Sequence, residues 1–214
     1  MKLSKFQHAC FTIEQDGQVL VVDPGQITPD FVVPEELVAA IVVTHIHGDH
    51  LDLEKLHAIQ AKYPDTHLYA HPEVIAEFDS TVTNTHTVNA GDSVNVGPFH
   101  LEFIGGEHAL IHPDIPMCAN LGVIINNRVY YPGDSFIKPG KPIDVLALPI
   151  AAPWMKTAEG MDFLVSIAPK MAFPTHDAVL SDAGKQFTDN WMQRAAEKAG
   201  CTYQRIDNAT FVVE

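Results

Sequence analysis

Ala40-Ile41-Val42-Val43-Thr44-His45-Ile46-His47-Gly48-Asp49-His50 is the stretch from which the rest of the chain can be read. Its opening is a continuous apolar, largely β-branched run, the pattern of a strand buried on both faces. The run passes directly into H-x-H-x-D-H. With 12 histidines among 214 residues, that motif arises by chance in only ~0.3% of such chains, so it is a specific signal. His45 and His47 stand at period two at a strand end, which lets both rings point into one cleft. Asp49 and His50 occupy the turn before a helix and can face a second ion. Neutral imidazole and carboxylate together suit Zn²⁺, Mn²⁺ or Fe.

Outward from this motif, short apolar runs alternate with helical stretches. Phe11–Ile13 and Val19–Val22 flank Asp16-Gly17 and predict a hairpin. Leu121–Ile125 and Val129–Tyr131 flank Asn126-Asn127 and predict another. Further strands are expected at Leu68–Ala70, Val94–Val96, Leu101–Ile104, Val145–Ile150 and Arg205–Val213. Helices are expected over Leu51–Lys62, Phe163–Ala168, and from a Ser181 cap through Lys198 to Gly200. Phe11–Asp23 and Leu121–Asp134 share one layout: strand, tight turn, strand, aspartate, each followed by a continuous apolar strand. Two such halves, each with helices covering one sheet face, give an α/β four-layer sandwich of helix, sheet, sheet, helix, with mixed sheets. No linker or low-complexity stretch interrupts it, so residues 1–214 are expected to form one domain.

The H-x-H-x-D-H motif resembles the signature of the metallo-β-lactamase superfamily, and the resemblance runs along essentially the whole chain. It implies the αβ/βα fold of that family and further ligands at later strand ends. Gly105-Gly106-Glu107-His108 fits the third histidine of a first ion position. Pro132-Gly133-Asp134-Ser135 fits the turn whose aspartate bridges two ions. Pro174-Thr175-His176 fits the last histidine of a second position. By resemblance, His45, His47 and His108 hold one ion, Asp49, His50 and His176 the other, and Asp134 both. Within the superfamily the chain is similar to the small, single-domain, cytoplasmic branch of metal-dependent hydrolases typified by ascorbate-6-phosphate lactonase. His8-Ala9-Cys10-Phe11 and Asp23-Pro24 match segments of that branch. Gln7 and Asp177 depart from it, where relatives carry glycine and often tyrosine. Asp134 stands where common zinc β-lactamases place a cysteine, which argues against antibiotic hydrolysis.

The resemblance implies a hydrolase with two divalent ions, Zn or Mn with Fe as the alternative, using a metal-bound hydroxide on a small anionic ester, lactone or phosphodiester. Asp49 and Asp134 are the carboxylates expected to serve the chemistry. Three residues invite a supporting role. Asp23 either fixes the tautomer of a ligand histidine or merely shapes a turn. His8 either reaches the cleft or is a satisfied edge histidine, and His112 either touches substrate or lies on the surface. Trp154 reads as core packing or a pocket wall.

Charge narrows the partners. Lys+Arg of 13 against Asp+Glu of 27 gives a net charge of −14, which repels long polyanions and argues against nucleic acid, including the superfamily's nuclease activities. No apolar run reaches the ~18 residues of a membrane span. Three cysteines without motif spacing suggest a reducing cytoplasm. A small-molecule substrate is the expected partner, with self-association left open. An iron-dependent redox protein of the same fold and a non-catalytic metal-binding protein are the competing readings.

Overall fold

The computed structural model describes residues 1–206 and 210–213. The strands are β1 (Lys2–Lys5), β2 (Phe11–Gln15), β3 (Gln18–Val22), β4 (Leu37–Val43), β5 (His67–Ala70), β6 (Thr85–Thr87), β7 (Ser93–Val96), β8 (Phe99–Gly105), β9 (Leu121–Ile125), β10 (Val129–Tyr131), β11 (Val145–Pro149), β12 (Met171–Thr175), β13 (Thr202–Tyr203) and β14 (Thr210–Val212). The helices are α1 (Leu53–Lys62), α2 (Pro72–Ile75), α3 (Thr157–Ile167) and α4 (Asp182–Ala199). They build two mixed seven-stranded sheets, ordered β14-β1-β2-β3-β4-β5-β6 and β13-β12-β11-β10-β9-β8-β7.

The continuous apolar runs are explained by burial on both sides. In β4, Ala40 and Val42 join the core between the sheets, whereas Ile41 and Val43 pack outward with Leu56 and Ile59 of α1. In β11, Val145 and Ala147 face the inter-sheet core, while Leu146 and Leu148 meet Phe163 and Leu164 of α3 and Met192 and Ala196 of α4. Three apolar layers therefore separate four layers of secondary structure, the αβ/βα sandwich expected from the sequence.

The two-halves pattern is also present. β2 and β3 pair antiparallel and β3 and β4 parallel; β9 and β10 pair antiparallel and β10 and β11 parallel. Both central turns use the left-handed backbone their residues favour, with φ of 51° and 74° at Asp16 and Gly17 and 51° and 56° at Asn126 and Asn127.

Some expectations require correction. The third helix starts at Thr157 rather than Phe163. The sequence reading missed its first half because Gly160 looks like a breaker; in the fold it gives room to the Met155 and Met192 methyls, which an added Cβ would meet at 3.0 and 3.1 Å. The expected strand Arg205–Val213 is β14 only over Thr210–Val212; Arg205 and Ile206 are not in a strand, and residues 207–209 lie outside the described residues. No helix among the described residues is long and apolar enough to cross a membrane.

Candidate metal centre

The C-terminal ends of β3, β4, β8, β10, β11 and β12 open onto one edge of the sandwich, where loops can present side chains without breaking a sheet ladder. The β4 exit carries His45, His47, Asp49 and His50; the β8, β10 and β12 exits carry His108, Asp134 and His176. These seven residues form overlapping clusters. One comprises His45, His47 and His108, another His45, His50 and Asp134, and a third Asp49, His50 and His176 together with His8. Within each cluster the potential ligand atoms lie within 4.8 Å of one another.

Asp134 lies between the groups. Its Oδ2 is 3.3 Å from His108 Nε2, 3.1 Å from His176 Nε2 and 4.0 Å from His45 Nε2, and its Oδ1 is 3.2 Å from His50 Nε2. Asp49 Oδ2 is 3.2 Å from His176 Nε2.

Proton bookkeeping around the rings distinguishes their roles. His108 Nδ1 donates to Ala109 O and His176 Nδ1 to Ala151 O, both at 2.6 Å. His50 Nδ1 donates to Asp23 Oδ2 at 2.7 Å. His45 Nδ1 lies 3.0 Å from Thr44 Oγ1, whose own proton goes to Asp23 Oδ2 at 2.7 Å, so Nδ1 is again the donor. A neutral imidazole has one N–H. With it spent at Nδ1, each of these four rings turns a bare Nε2 lone pair towards the centre.

The Nε2 atoms of His45, His50 and His108, and Asp134 Oδ1, are buried without a hydrogen-bond partner. Each buried polar atom left unpaired costs ~1–3 kcal/mol. His45, His50 and Asp134 share one cluster and His108 shares another with His45, so these unpaired atoms fit bound cations, and the imidazole–carboxylate donor set fits a divalent transition metal.

Electrostatics agree. Burial works to lower His176, but the Asp134 and Asp49 carboxylates outweigh it and lift the imidazole to about 9, so they favour positive charge at Nε2, either a proton or a metal ion that takes the proton's place. Burial opposes ionisation of Asp134 too, yet the facing His50 holds it well below the usual carboxylate range. Positive charge is what this cluster is built to receive.

A family model described as the beta-lactamase superfamily domain matches residues 2–176. The chain belongs to that superfamily. Protein Rv0786c of Mycobacterium tuberculosis is 36% identical over 186 residues, covering 85% of this chain and 86% of that protein. A UPF0173 metal-dependent hydrolase of Aeropyrum pernix is 31% identical over 202 residues, covering 82% and 81%. Among solved structures, Igni18, a metallo hydrolase from Ignicoccus hospitalis, has a TM-score of 0.76 over 100% of this chain and 99% of its own, at 20% identity, a likeness of fold. The protein is thus an enzyme of the beta-lactamase superfamily.

The supporting residues then sort themselves. Asp23, fully buried, accepts from Thr44 N at 2.8 Å as well as from Thr44 Oγ1 and His50 Nδ1, so it orders both the β4 exit and one imidazole. His8, also fully buried, lies 2.9 Å from Asp49 Oδ2. His112 is not brought to the cluster. Its exposed ring accepts from Asp114 N at 3.2 Å and closes its own turn.

Two further contributors had not been singled out for these roles. Trp154 Nε1 donates to Asp134 Oδ2 at 2.8 Å, and its ring lies edge-on to His108 and His176. Asn120 Oδ1 accepts from Asp134 N at 2.9 Å while its Nδ2 donates to Pro132 O, clamping the turn that presents Asp134. The sequence signal for Trp154 is its place after Pro153 at the exit of a buried strand; Asn120 offers none.

Proposed function

We propose that this superfamily member is a dinuclear metal-dependent hydrolase of a small anionic ester, lactone or phosphodiester. The observation that carries the reading is the set of bare Nε2 lone pairs facing Asp134. In this reading His45, His47 and His108 hold one ion, Asp49, His50 and His176 the other, and Asp134 lies between them. Zn or Mn suits this donor set, and similarity to relatives named metal-dependent hydrolases supports the reaction class. Two such ions would supply Lewis-acid polarisation of the scissile group and a water acidified towards pKa ~7.

The chain's own residues do the positioning. Asp49, with 27% of its side chain open to solvent, is the most exposed carboxylate of the site. Burial opposes its ionisation, but the His176 and His8 contacts hold it well below the usual carboxylate range, so it remains an anion placed to orient an attacking water by accepting its hydrogen bond. Asp134, buried and held by Trp154 and Asn120, keeps the two histidine groups in a fixed relation. Beside His108 a cavity of about 440 Å³, lined in part by Ala109, Ser135, Phe136 and Ile137, has the size of a small-molecule site. The net charge of −14 favours a compact anion drawn to the local cations over a long polyanion.

Elemental analysis of protein purified without added metal or chelator tests the reading. About two Zn or Mn per chain are expected, with hydrolysis of a panel of esters, lactones and phosphodiesters lost on chelation and restored by either metal. Protein that takes up neither metal contradicts it.

Trp154→Phe offers a finer test. Phenylalanine keeps the ring packing but removes the donor to Asp134, and ion affinity is expected to fall about tenfold with the fold intact. Competition with a chromophoric chelator reads the change.

A further inference from the structure

The third cluster contains one imidazole whose protons run the other way. His8 Nδ1 accepts from the backbone N–H of Ala178 at 3.3 Å. Its single proton is therefore on Nε2, which donates to Asp49 Oδ2 at 2.9 Å. That tautomer removes His8 from the ligand set, although its ring centroid is 4.2 Å from that of His176.

The backbone that carries His8 is ordered independently of the ring. Phe6 N donates to Cys10 O at 3.0 Å, Thr28 Oγ1 to Gln7 O at 3.2 Å, and His8 O accepts from His176 N at 3.2 Å. His8 sits at φ 59° and His176 at φ 58°, a conformation that non-glycine residues keep only where their surroundings enforce it. The loop before β2 is thus stitched to the loop after β12, with the His8 ring spanning the gap to the β4 exit.

The two ion positions of the dinuclear reading consequently differ. His45 and His108 are oriented from within their own loops, through Thr44 and Ala109. The Asp49 carboxylate is oriented across the molecule: among the described residues its hydrogen-bond donor is His8.

We propose that His8 is a positioning residue that sets the occupancy of the second ion position, by holding the Asp49 carboxylate through Oδ2, the oxygen that lies 3.2 Å from His176 Nε2 and 3.7 Å from His50 Nε2. The inference rests on the dinuclear reading above. It makes the position of His45, His47 and His108 the one filled first and that of Asp49, His50 and His176 the one filled second.

The test uses His8→Gln and His8→Phe in the full chain. The glutamine amide nitrogen lies the same number of bonds from Cβ as His Nε2 and restores a donor to Asp49; phenylalanine fills the space without one. Both residues meet the same positive φ, so backbone strain cancels in the comparison. Chelated protein is titrated with Co²⁺ and followed by its visible d–d absorption, with thermal melts as a folding control. Wild type and His8→Gln are expected to bind in two steps. In His8→Phe the first step should be unchanged and the second weakened 10–100-fold.

An unchanged second step in His8→Phe overturns the inference, as does equal loss in both variants, which would mean packing rather than a donor. Wild-type protein that takes only one Co²⁺ defeats the dinuclear reading itself.

Discussion

Asp23→Asn, a change of one atom, is expected to weaken binding of the ion nearest His50 by ~10–100-fold and to destabilise the chelated protein by ~1–3 kcal/mol for each donor left unpaired. The Asp23 side chain is fully buried and takes three donors: Thr44 N on Oδ1, and Thr44 Oγ1 and His50 Nδ1 on Oδ2. An asparagine cannot accept them all. With its NH₂ at the Oδ2 position it meets His50 Nδ1–H, and the imidazole must move its proton to Nε2, the atom that faces Asp134. With the amide turned over, the NH₂ meets the Thr44 backbone N–H, and the β4 exit carrying His45 shifts. Either way a donor confronts a donor in a dry site. Asp23→Ala abandons all three donors and should cost more stability. Metal titration alongside denaturation after chelation measures both effects; an Asp23→Asn protein that binds metal as wild type does would show that Asp23 only shapes its turn.

Much of this architecture was legible in the sequence because its signals are local. The run at Ala40–Val43 read as a strand buried on both faces and Val145–Ile150 as a second apolar strand, and the alternation of their residues between inner and outer cores shows why no polar residue interrupts them. Asp16-Gly17 and Asn126-Asn127 announced their turns through residues that tolerate positive φ. The duplicated strand–turn–strand–aspartate layout pointed to two sheets of like topology, and it placed Asp23 and Asp134 at equivalent strand exits. What escaped were short strands at or next to a sheet edge and long-range partners. β1 and β6 have sequences Lys-Leu-Ser-Lys and Thr-His-Thr, in which half-buried positions carry no apolar period. Trp154 and Asn120 act on Asp134 from 20 and 14 residues away, a separation that only the folded chain closes. His112, by contrast, lies only four residues from His108 yet points into solvent, because the loop after β8 turns away once His108 is in place.

Gly25→Ala should prove the most damaging single methyl in the molecule for metal binding. Gly25 follows Asp23-Pro24 and lies flat on the loop that carries Asp49 and His50: Gly25 N donates to Asp23 O at 2.8 Å, and the next residue's N–H donates to Gly48 O at 2.7 Å. A Cβ built on Gly25 would be 1.9 Å from Asp49 O, 2.1 Å from Asp49 C and 2.6 Å from His50 N. These neighbours are backbone atoms, so no side chain can swing aside, and the loop bearing Asp49 and His50 must move by more than the ~0.5 Å tolerance of a preorganised site. A displacement of ~1 Å at such a site costs on the order of 10²-fold in rate, and hydrolytic activity is expected to fall by at least that much, with metal binding at Asp49 and His50 weakened. Gly17→Ala supplies the control. That glycine has φ +74° and open space around it, so alanine there should cost ~1 kcal/mol of stability through backbone strain alone and leave metal binding untouched. If the two variants lose stability alike and both keep their ions, the close approach at Gly25 does not shape the site. If Gly25→Ala alone loses them while its β-sandwich still melts cooperatively, the steric demand on residue 25 is a demand of the metal centre rather than of the fold.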